Sequence, residues 1–125
     1  MGDTKYIYHF IRKDIPVVAQ IIQMGHAIDR IALRQEFYED CAHTVLFEVQ
    51  NELELIGIAK YLESQGLIED QDFNIFYDTA WPVGYNAIAT RPFVGAERDI
   101  FSEFTLYRDE NLEATKAREK VHVTN

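Results

Sequence analysis

The sequence predicts an α/β fold: a three-layer sandwich in which a mixed four-stranded β-sheet carries helices on both faces, in the order β-α-β-α-β-β-α. Short runs rich in aromatic and β-branched residues alternate with segments whose apolar residues recur at spacings of three and four. The chain has 125 residues, of which 47% are hydrophobic and 26% are charged. This size and composition are typical of one globular domain with a substantial core.

The first strand and the first helix occupy the amino-terminal third of the chain. Residues Lys5 to Arg12 are mostly aromatic or β-branched, which predicts a strand that is covered on both faces. Asp14 can cap the following helix, and Pro16 suits its first turn. We expect this helix to continue to about Gln35. Its predicted buried face is an apolar stripe of Val17, Ile21, Met24, Ile28 and Ile31.

A second strand and a second helix follow. Thr44 to Val49 reads as an apolar strand, and Asn51 with Glu54 resembles a capping box at a helix start. Gly66 is a suitable stop signal for that helix. Its predicted buried residues are Leu55, Ile56, Ala59 and Leu62.

The remaining elements lie between residues 73 and 107. Strands are predicted at Phe73 to Tyr77 and at Tyr85 to Thr90, joined by a turn at Trp81-Pro82-Val83-Gly84. A third helix is predicted from Gly95 to about Phe104, and Thr105 to Tyr107 form a short edge strand. We therefore expect one domain over residues 1–108 and a polar tail over residues 109–125.

The formal net charge is -9, and the acidic residues are concentrated in one block. Eleven acidic residues lie between Glu36 and Asp78, against the single Lys60. Such a chain lacks the broad basic surface of most nucleic acid-binding proteins, so phosphate contacts are confined to a local patch. The acidic block is either a solvated face or a surface that engages a partner.

The cysteine content and the hydropathy of the chain indicate the cellular compartment in which it works. The lone Cys41 excludes an intramolecular disulfide and fits a reducing compartment. No apolar run is long enough for a membrane span, and no signal peptide is recognisable, so we expect a cytoplasmic protein without membrane contact.

Several polar residues are predicted to meet near the end of the first strand. Arg12 and Lys13 end that strand, and the helix after it carries Gln23, His26 and Arg30. In open α/β proteins this position, beside a helix N-terminus, is where anionic ligands bind. His26 is either a pocket residue and general acid/base or a helix histidine satisfied by a neighbour. Likewise, Lys13 is either a phosphate ligand or a solvated strand end.

Asp78 and Arg91 are the candidates from the second half of the chain. Asp78 ends the third predicted strand and either orients a water molecule or simply starts a turn. Arg91 precedes Pro92, which holds its backbone extended. The spacing of the four histidines and one cysteine predicts no metal site and no cofactor, so any catalysis would use general acid/base residues.

An ordered set of segments resembles the class II peptidyl-tRNA hydrolases over roughly residues 5–108. The segments that carry the resemblance are Arg12-Lys13-Asp14, Gln23-x-x-His26-Ala27, Asp78, Ala87 to Pro92 and Phe104 to Tyr107.

The resemblance implies a mixed four-stranded sheet, a homodimer, and hydrolysis of the ester that joins a peptide to the 3′ end of tRNA. It places Gln23, His26 and Asp78 in the pocket, with Asp78 activating water and Lys13 nearby. The chain departs from the family pattern in lacking its Gly-Lys-Gly-Lys run and in having Asn86 where a threonine is expected. We expect Asn86 to bind the ligand, together with Arg12, Gln23, Arg30 and Arg91.

Three functions therefore remain open. The first is a peptidyl-tRNA esterase that uses Asp78, His26 and Lys13. The second is a binding protein that sequesters a small nucleotide or another anionic ligand in the same pocket. The third is an interaction module that uses its acidic face or its tail. The second function requires only the basic cluster of Arg12, Lys13, His26, Arg30 and Arg91.

Overall fold

The computed structural model of the chain describes residues 4–32 and 43–109. The α/β class and the predicted order of the first six elements are confirmed. The elements are β1 (Tyr6–Arg12), α1 (Val17–Ala32), β2 (His43–Val49), α2 (Glu52–Ser64), β3 (Phe73–Asp78), β4 (Gly84–Thr90) and a 3₁₀ helix (Gly95–Phe101).

The four strands form one mixed sheet in the order β2-β1-β4-β3. β1 and β2 are parallel, whereas β4 is antiparallel to both β1 and β3. The carboxyl ends of β1, β2 and β3 therefore lie at the same end of the sheet, together with the amino end of β4. This geometry puts the chain around Arg12 at the same end as Asp78.

The helices cover opposite faces of the sheet, because neighbouring strand residues such as Phe10 and Ile11 point to opposite sides. The larger core cluster joins α2 and the 3₁₀ helix to the strands and includes Tyr8, Phe10, Phe47, Leu55, Leu62, Phe73, Phe93 and Phe101. The smaller cluster joins α1 to the other face and consists of Ile11, Ile15, Ala19, Ala27, Ile31, Ala87 and Ala89.

The predicted start and stop signals of α2 are confirmed with one change. The Asn51 side chain accepts a hydrogen bond from the backbone N–H of Glu54 at 2.9 Å. The Glu54 carboxylate, however, accepts from the N–H of Gln50 at 3.0 Å, one residue earlier than in a regular capping box. Gly66, just beyond the helix, has a φ of +92°, which favours glycine.

The segment after β4 differs from the prediction. The expected α-helix is a 3₁₀ helix that ends at Phe101 rather than at Phe104. The predicted edge strand is a single antiparallel bridge, between Leu106 and Phe47 of β2. The Glu48 N–H donates to Thr105 O at 2.9 Å. Gln35, the predicted end of the first helix, and residues 110–125 lie outside the described residues.

The predicted buried face of α1 is wrong. Val17, Ile21 and Ile28 are exposed, and of the predicted stripe only Ile31 is buried. The buried residues of α1 are Ala19, Gln20, Gln23, Ala27 and Ile31. Small alanines on α1 pack in one cluster with alanines of β4, so that face of the helix lies against the sheet.

None of the helices in the described ranges has the length and hydropathy needed to cross a membrane.

Candidate functional site

Four side chains form a continuous hydrogen-bonded chain at the end of the sheet where β1 and β3 terminate. Arg12 Nη1 donates to Asn86 Oδ1 at 2.9 Å, and Asn86 Nδ2 donates to Gln23 Oε1 at 3.2 Å. Gln23 Nε2 then donates to Asp78 Oδ2 at 2.9 Å. We refer to Arg12, Asn86, Gln23 and Asp78 as the polar network. It brings together half of the residues that the sequence placed in a site, from three strands and one helix.

The two amides at the centre of the polar network are fixed in place. Asn86 and Gln23 are 0% and 2% exposed, respectively. Asn86 Nδ2 also donates to the carbonyl oxygen of Pro82 at 2.6 Å. Because buried amides that lose a partner are costly, these bonds hold both side chains in one orientation. Asn86 is therefore the link between β1 and α1.

Asp78 is the network member best placed to act on a ligand. Its Oδ2 accepts from Gln23, and its Oδ1 accepts from the backbone N–H of Ala80 at 2.8 Å. These hydrogen bonds, first that of Gln23 and then that of Ala80, hold the pKa of Asp78 below its usual value, with a smaller contribution from the charge of His26. A carboxylate with a low pKa is a weak base, so its suitable task is to orient a water molecule.

Arg12 is committed to contacts within the chain. Its Nε and Nη2 each donate to one carboxylate oxygen of Asp14 at 2.8 Å, and Nη1 also reaches Tyr85 O at 3.3 Å. The same pairing lowers the pKa of Asp14. Arg12 therefore positions Asn86 and the loop after β1.

His26 and Arg30 lie on the side of α1 next to β3, around the ring of Phe76. The His26 ring stacks on Phe76 with centroids 4.9 Å apart, and the Arg30 guanidinium lies 5.4 Å from the Phe76 centroid. Both side chains are exposed. The charge of His26 also lowers the pKa of Asp78 slightly. Because Phe76 precedes Asp78 by two residues on β3, His26 and Arg30 lie close to the Asp78 end of the polar network.

Lys13 lies in a different environment, on the α1 face beyond β2. Its ammonium sits 4.0 Å from the centroid of Tyr107 and 3.9 Å from a carboxylate oxygen of Glu48, and it donates to Arg108 O. It lines a polar cavity of about 430 Å³ at the ends of β1 and β2. None of these contacts involves His26 or a member of the polar network.

Arg91 lies at the opposite end of the sheet, because β4 runs antiparallel to β1. It pairs with Asp72 at 2.8 Å, and its guanidinium stacks on Phe93 at 4.0 Å. The structure therefore separates Arg91 and Lys13 from the other six predicted site residues.

Glu48 is a buried charged residue that the sequence interpretation missed. It is 4% exposed, and its carboxylate accepts from Arg108 Nη2 at 2.9 Å and from the Arg108 backbone N–H at 2.8 Å. These bonds, led by the side-chain bond of Arg108, lower the pKa of Glu48 to about 2. A single glutamate inside the apolar run Thr44 to Val49 was the available signal.

Trp81, which the sequence predicted as a turn residue, is a second residue that the sequence interpretation did not assign to the site. Its side chain is 72% exposed in the loop between β3 and β4. The residues on either side are both tied to the polar network, since Ala80 N–H donates to Asp78 and Pro82 O accepts from Asn86. The network therefore holds a large exposed aromatic surface three residues from Asp78.

Within residues 4–32 and 43–109, no group of three or more His, Cys, Asp and Glu side chains is arranged to hold a metal ion. Comparison with known proteins gave no match, either to a protein-family model or to a curated protein sequence.

Proposed function

We propose that this chain is a peptidyl-tRNA hydrolase-like esterase that cleaves the ester between a peptide and tRNA, with Asp78 orienting the attacking water. The observation that carries this proposal is the polar network. Gln23 and Asp78, two residues that carry the family resemblance, are directly bonded, and His26 lies beside them. Each oxygen of the half-exposed Asp78 carboxylate accepts one protein hydrogen bond and has a further lone pair that can accept from a water molecule.

The proposed reaction needs no group beyond the chain, the ester and water. The water oxygen bonds to the ester carbonyl carbon while Asp78 accepts a hydrogen bond from that water. The bond from this carbon to the ribose oxygen then breaks. His26 takes up the proton that the attacking water loses and passes it to the ribose oxygen, so the products are a peptide carboxylic acid and a free tRNA hydroxyl.

Trp81 gives a chain of net charge -9 a way to bind an RNA end without a basic surface. A broad basic surface is not required where unpaired bases stack on aromatic side chains, because stacking depends little on charge. Each stacked base contributes roughly 1–3 kcal/mol to affinity. We assign Trp81, exposed beside Asp78, as the residue on which an unpaired base of the tRNA 3′ end stacks.

A second candidate is a binding protein that sequesters a small nucleotide without hydrolysing an ester. The position of Lys13 favours it, since this cation contacts Glu48 and Tyr107 instead of the polar network. A nucleotide would then stack on Trp81 and meet Arg30 and His26 at the edge of α1. For either function we propose a cytoplasmic setting, which fits the lone Cys41, and a homodimer, which the family resemblance implies.

The test is the release of peptide from an N-blocked peptidyl-tRNA by the purified chain. Asp78→Asn should lower kcat about 100-fold or more, since it removes the charge that orients water. His26→Ala should lower kcat less. Asp99→Asn removes an equal charge on the exposed 3₁₀ helix and should leave kcat unchanged.

Trp81→Ala separates binding from chemistry in the same assay. It should raise KM roughly tenfold and leave kcat near the wild-type value, because a stacked base contributes about 1–3 kcal/mol. Trp81 is the only tryptophan, so quenching of its fluorescence by deacylated tRNA reports binding directly. Wild-type protein that releases no ester above background contradicts the esterase. A small nucleotide that co-purifies with such inactive protein supports the second candidate.

A further inference from the structure

A cavity opens over β2, on the face of the sheet that α2 shares with the 3₁₀ helix. α2 packs mainly against β4, and it leaves the part of this face over β2 to the 3₁₀ helix and the segment that follows it. The cavity has a volume of about 440 Å³, and small-molecule sites typically occupy roughly 300–1,000 Å³. We refer to this space as the β2 cavity, which is lined in part by Tyr8, Phe47, Arg98, Phe101, Phe104 and Leu106.

The inner wall of the β2 cavity is aromatic. Tyr8 stacks on Phe101 with ring centroids 3.9 Å apart, and Phe47 lies parallel to Tyr8 at 5.8 Å. Phe104 and the exposed Leu106 extend this wall towards solvent. Because the rings pack against one another, the wall is held in place and does not close over the space. Such a wall suits a flat apolar group.

Arg98 lies on the polar side of the β2 cavity and is held by two tyrosines. Its guanidinium lies 3.5 Å from the centroid of the Tyr6 ring, and its Nε donates to the Tyr8 hydroxyl at 2.9 Å. These two contacts fix the plane of the guanidinium. They do not use the two Nη groups, which can bind a carboxylate through two hydrogen bonds.

Three donor groups at the β2 cavity have no acceptor within the described residues. No oxygen there accepts from either Nη group of Arg98, and none accepts the hydroxyl proton of Tyr8. A tyrosine hydroxyl that accepts one hydrogen bond can still donate one. Tyr8 is only 3% exposed, and a buried donor without an acceptor is costly. An anion in the cavity would supply the acceptors that all three donor groups lack.

Arg91 shows what distinguishes Arg98 from an arginine whose charge is used within the fold. Both guanidinium groups stack on an aromatic ring. Arg91, however, forms ion pairs with Asp72 at 2.8 Å and with Glu97 at 3.8 Å. Within residues 4–32 and 43–109, no carboxylate forms an ion pair with Arg98. Its positive charge is therefore available to a ligand.

Asp99 is the acidic residue that lines the β2 cavity, next to Arg98 in the chain. It is exposed, so solvent screens its charge. The hydrogen bond to Tyr8 is the largest of the influences that raise the pKa of Arg98, and the charge of Asp99 is the smallest. Asp99 thus weakens the attraction of Arg98 for an anion without cancelling it. A ligand with one negative charge is repelled less by Asp99 than a ligand with two.

We propose that the β2 cavity binds a small organic acid with a flat apolar ring and one carboxylate. Arg98 and the Tyr8 hydroxyl donate to the carboxylate oxygens, and the ring lies against the wall at Phe104 and Leu106. The site shares no residue with the polar network, so it does not depend on whether the chain hydrolyses an ester.

The test is titration of the isotope-labelled full chain with phenylacetate, followed by NMR of the backbone amides. The wild type should bind with a Kd of about 1 mM or lower. The shifts should centre on Arg98 and Phe101. Phenylacetamide, which lacks the charge, and acetate, which lacks the ring, should each bind about tenfold more weakly or worse.

Two variants test the donors separately. Arg98→Gln removes the guanidinium, and Tyr8→Phe removes only the hydroxyl. Each should raise the Kd for phenylacetate about tenfold, because hydrogen bonds to a charged group are strong. Each should also bring the affinities for phenylacetate and phenylacetamide closer together, which a general loss of packing would not do. The controls Arg91→Gln and Tyr77→Phe remove the same groups outside the cavity and should bind like the wild type.

A wild-type chain without saturable binding of phenylacetate overturns the proposal, and so does equal affinity for phenylacetamide or acetate. Binding that both variants retain, or that the controls lose to the same extent, also overturns it. Shifts centred on Asp78 and Trp81 would place the ligand at the polar network and have the same consequence. Circular dichroism establishes that each variant is folded. Tyr8→Phe keeps the ring in the core, so it remains decisive if Arg98→Gln misfolds.

Discussion

The two helices carry similar numbers of aliphatic residues but use them in opposite ways. α2 buries Leu55 and Leu62 completely in an aromatic core. α1 instead contacts the sheet through alanines and glutamines and leaves most of its isoleucines outside. The α2 face of the sheet therefore provides most of the hydrophobic stabilisation. The α1 face positions polar groups and leaves a second apolar surface exposed.

Replacing one aliphatic side chain on each helix with alanine should give the largest difference in stability. Leu62→Ala should lower the free energy of unfolding by about 2–5 kcal/mol, because it leaves a cavity in the larger core. Ile21→Ala should change it by less than about 0.5 kcal/mol, since that side chain lies outside the fold. Urea unfolding of dilute protein, where the proposed dimer is dissociated, measures both. Equal losses would mean that α1 packs through its aliphatic side.

The α1 face of the sheet should also make stability depend on pH. His9 lies on this face and is buried, and burial lowers its pKa from 6.5 to about 4. Neutral His9 is therefore favoured in the folded state above pH 6.5, and this stability is lost as the pH falls from 6.5 towards 4. At about 1.4 kcal/mol per pKa unit, the loss approaches about 3 kcal/mol.

Urea unfolding at pH 7 and at pH 4 measures this loss. His9→Leu should remove most of the difference between the two values, while His26→Leu, at an exposed position, should retain it. The carboxylate of Glu48 contributes to stability in a lower pH range, because its folded pKa of about 2 lies below the usual 4.5. Its contribution is lost as the pH falls from 4.5 towards 2. A wild-type stability that is flat between pH 6.5 and 4.5 would contradict the role of His9.

The smallest expected effect is that of replacing either of the two mid-helix glycines. Gly25→Ala and Gly57→Ala should each raise the free energy of unfolding of the monomer by about 0.5–1 kcal/mol, because neither Cβ meets a neighbour. Thermal unfolding of each variant measures the gain. A destabilised Gly25→Ala monomer would show that this position is packed within the chain.

Local signals in the sequence predicted the elements well. The strand bounds agree to within a residue or two, and the cap at Asn51 and the stop at Gly66 operate as expected. These features depend on a few adjacent residues, so local rules apply to them.

The side of α1 that packs against the sheet could not be predicted, because the helix is apolar on two sides. Spacing alone favoured the side with the larger residues, whereas the alanines of β4 pack against the side with the smaller residues. The polar network was predicted only in part. The family resemblance grouped Gln23 with Asp78 in one pocket, but the hydrogen bonds that join them to Asn86 and Arg12 depend on the strand order, which only the three-dimensional structure supplies.

The segment from Thr105 to Arg108 has a practical consequence for expression of shortened chains. It covers the edge of β2 through Thr105 and Tyr107, and it supplies Arg108 to neutralise Glu48. A chain ending at Phe104 would leave the buried Glu48 without its Arg108 partner and would uncover the edge of β2, and an uncovered strand edge is a template for intermolecular β-pairing. Truncations intended to remove the polar tail should therefore retain Arg108 to avoid aggregation.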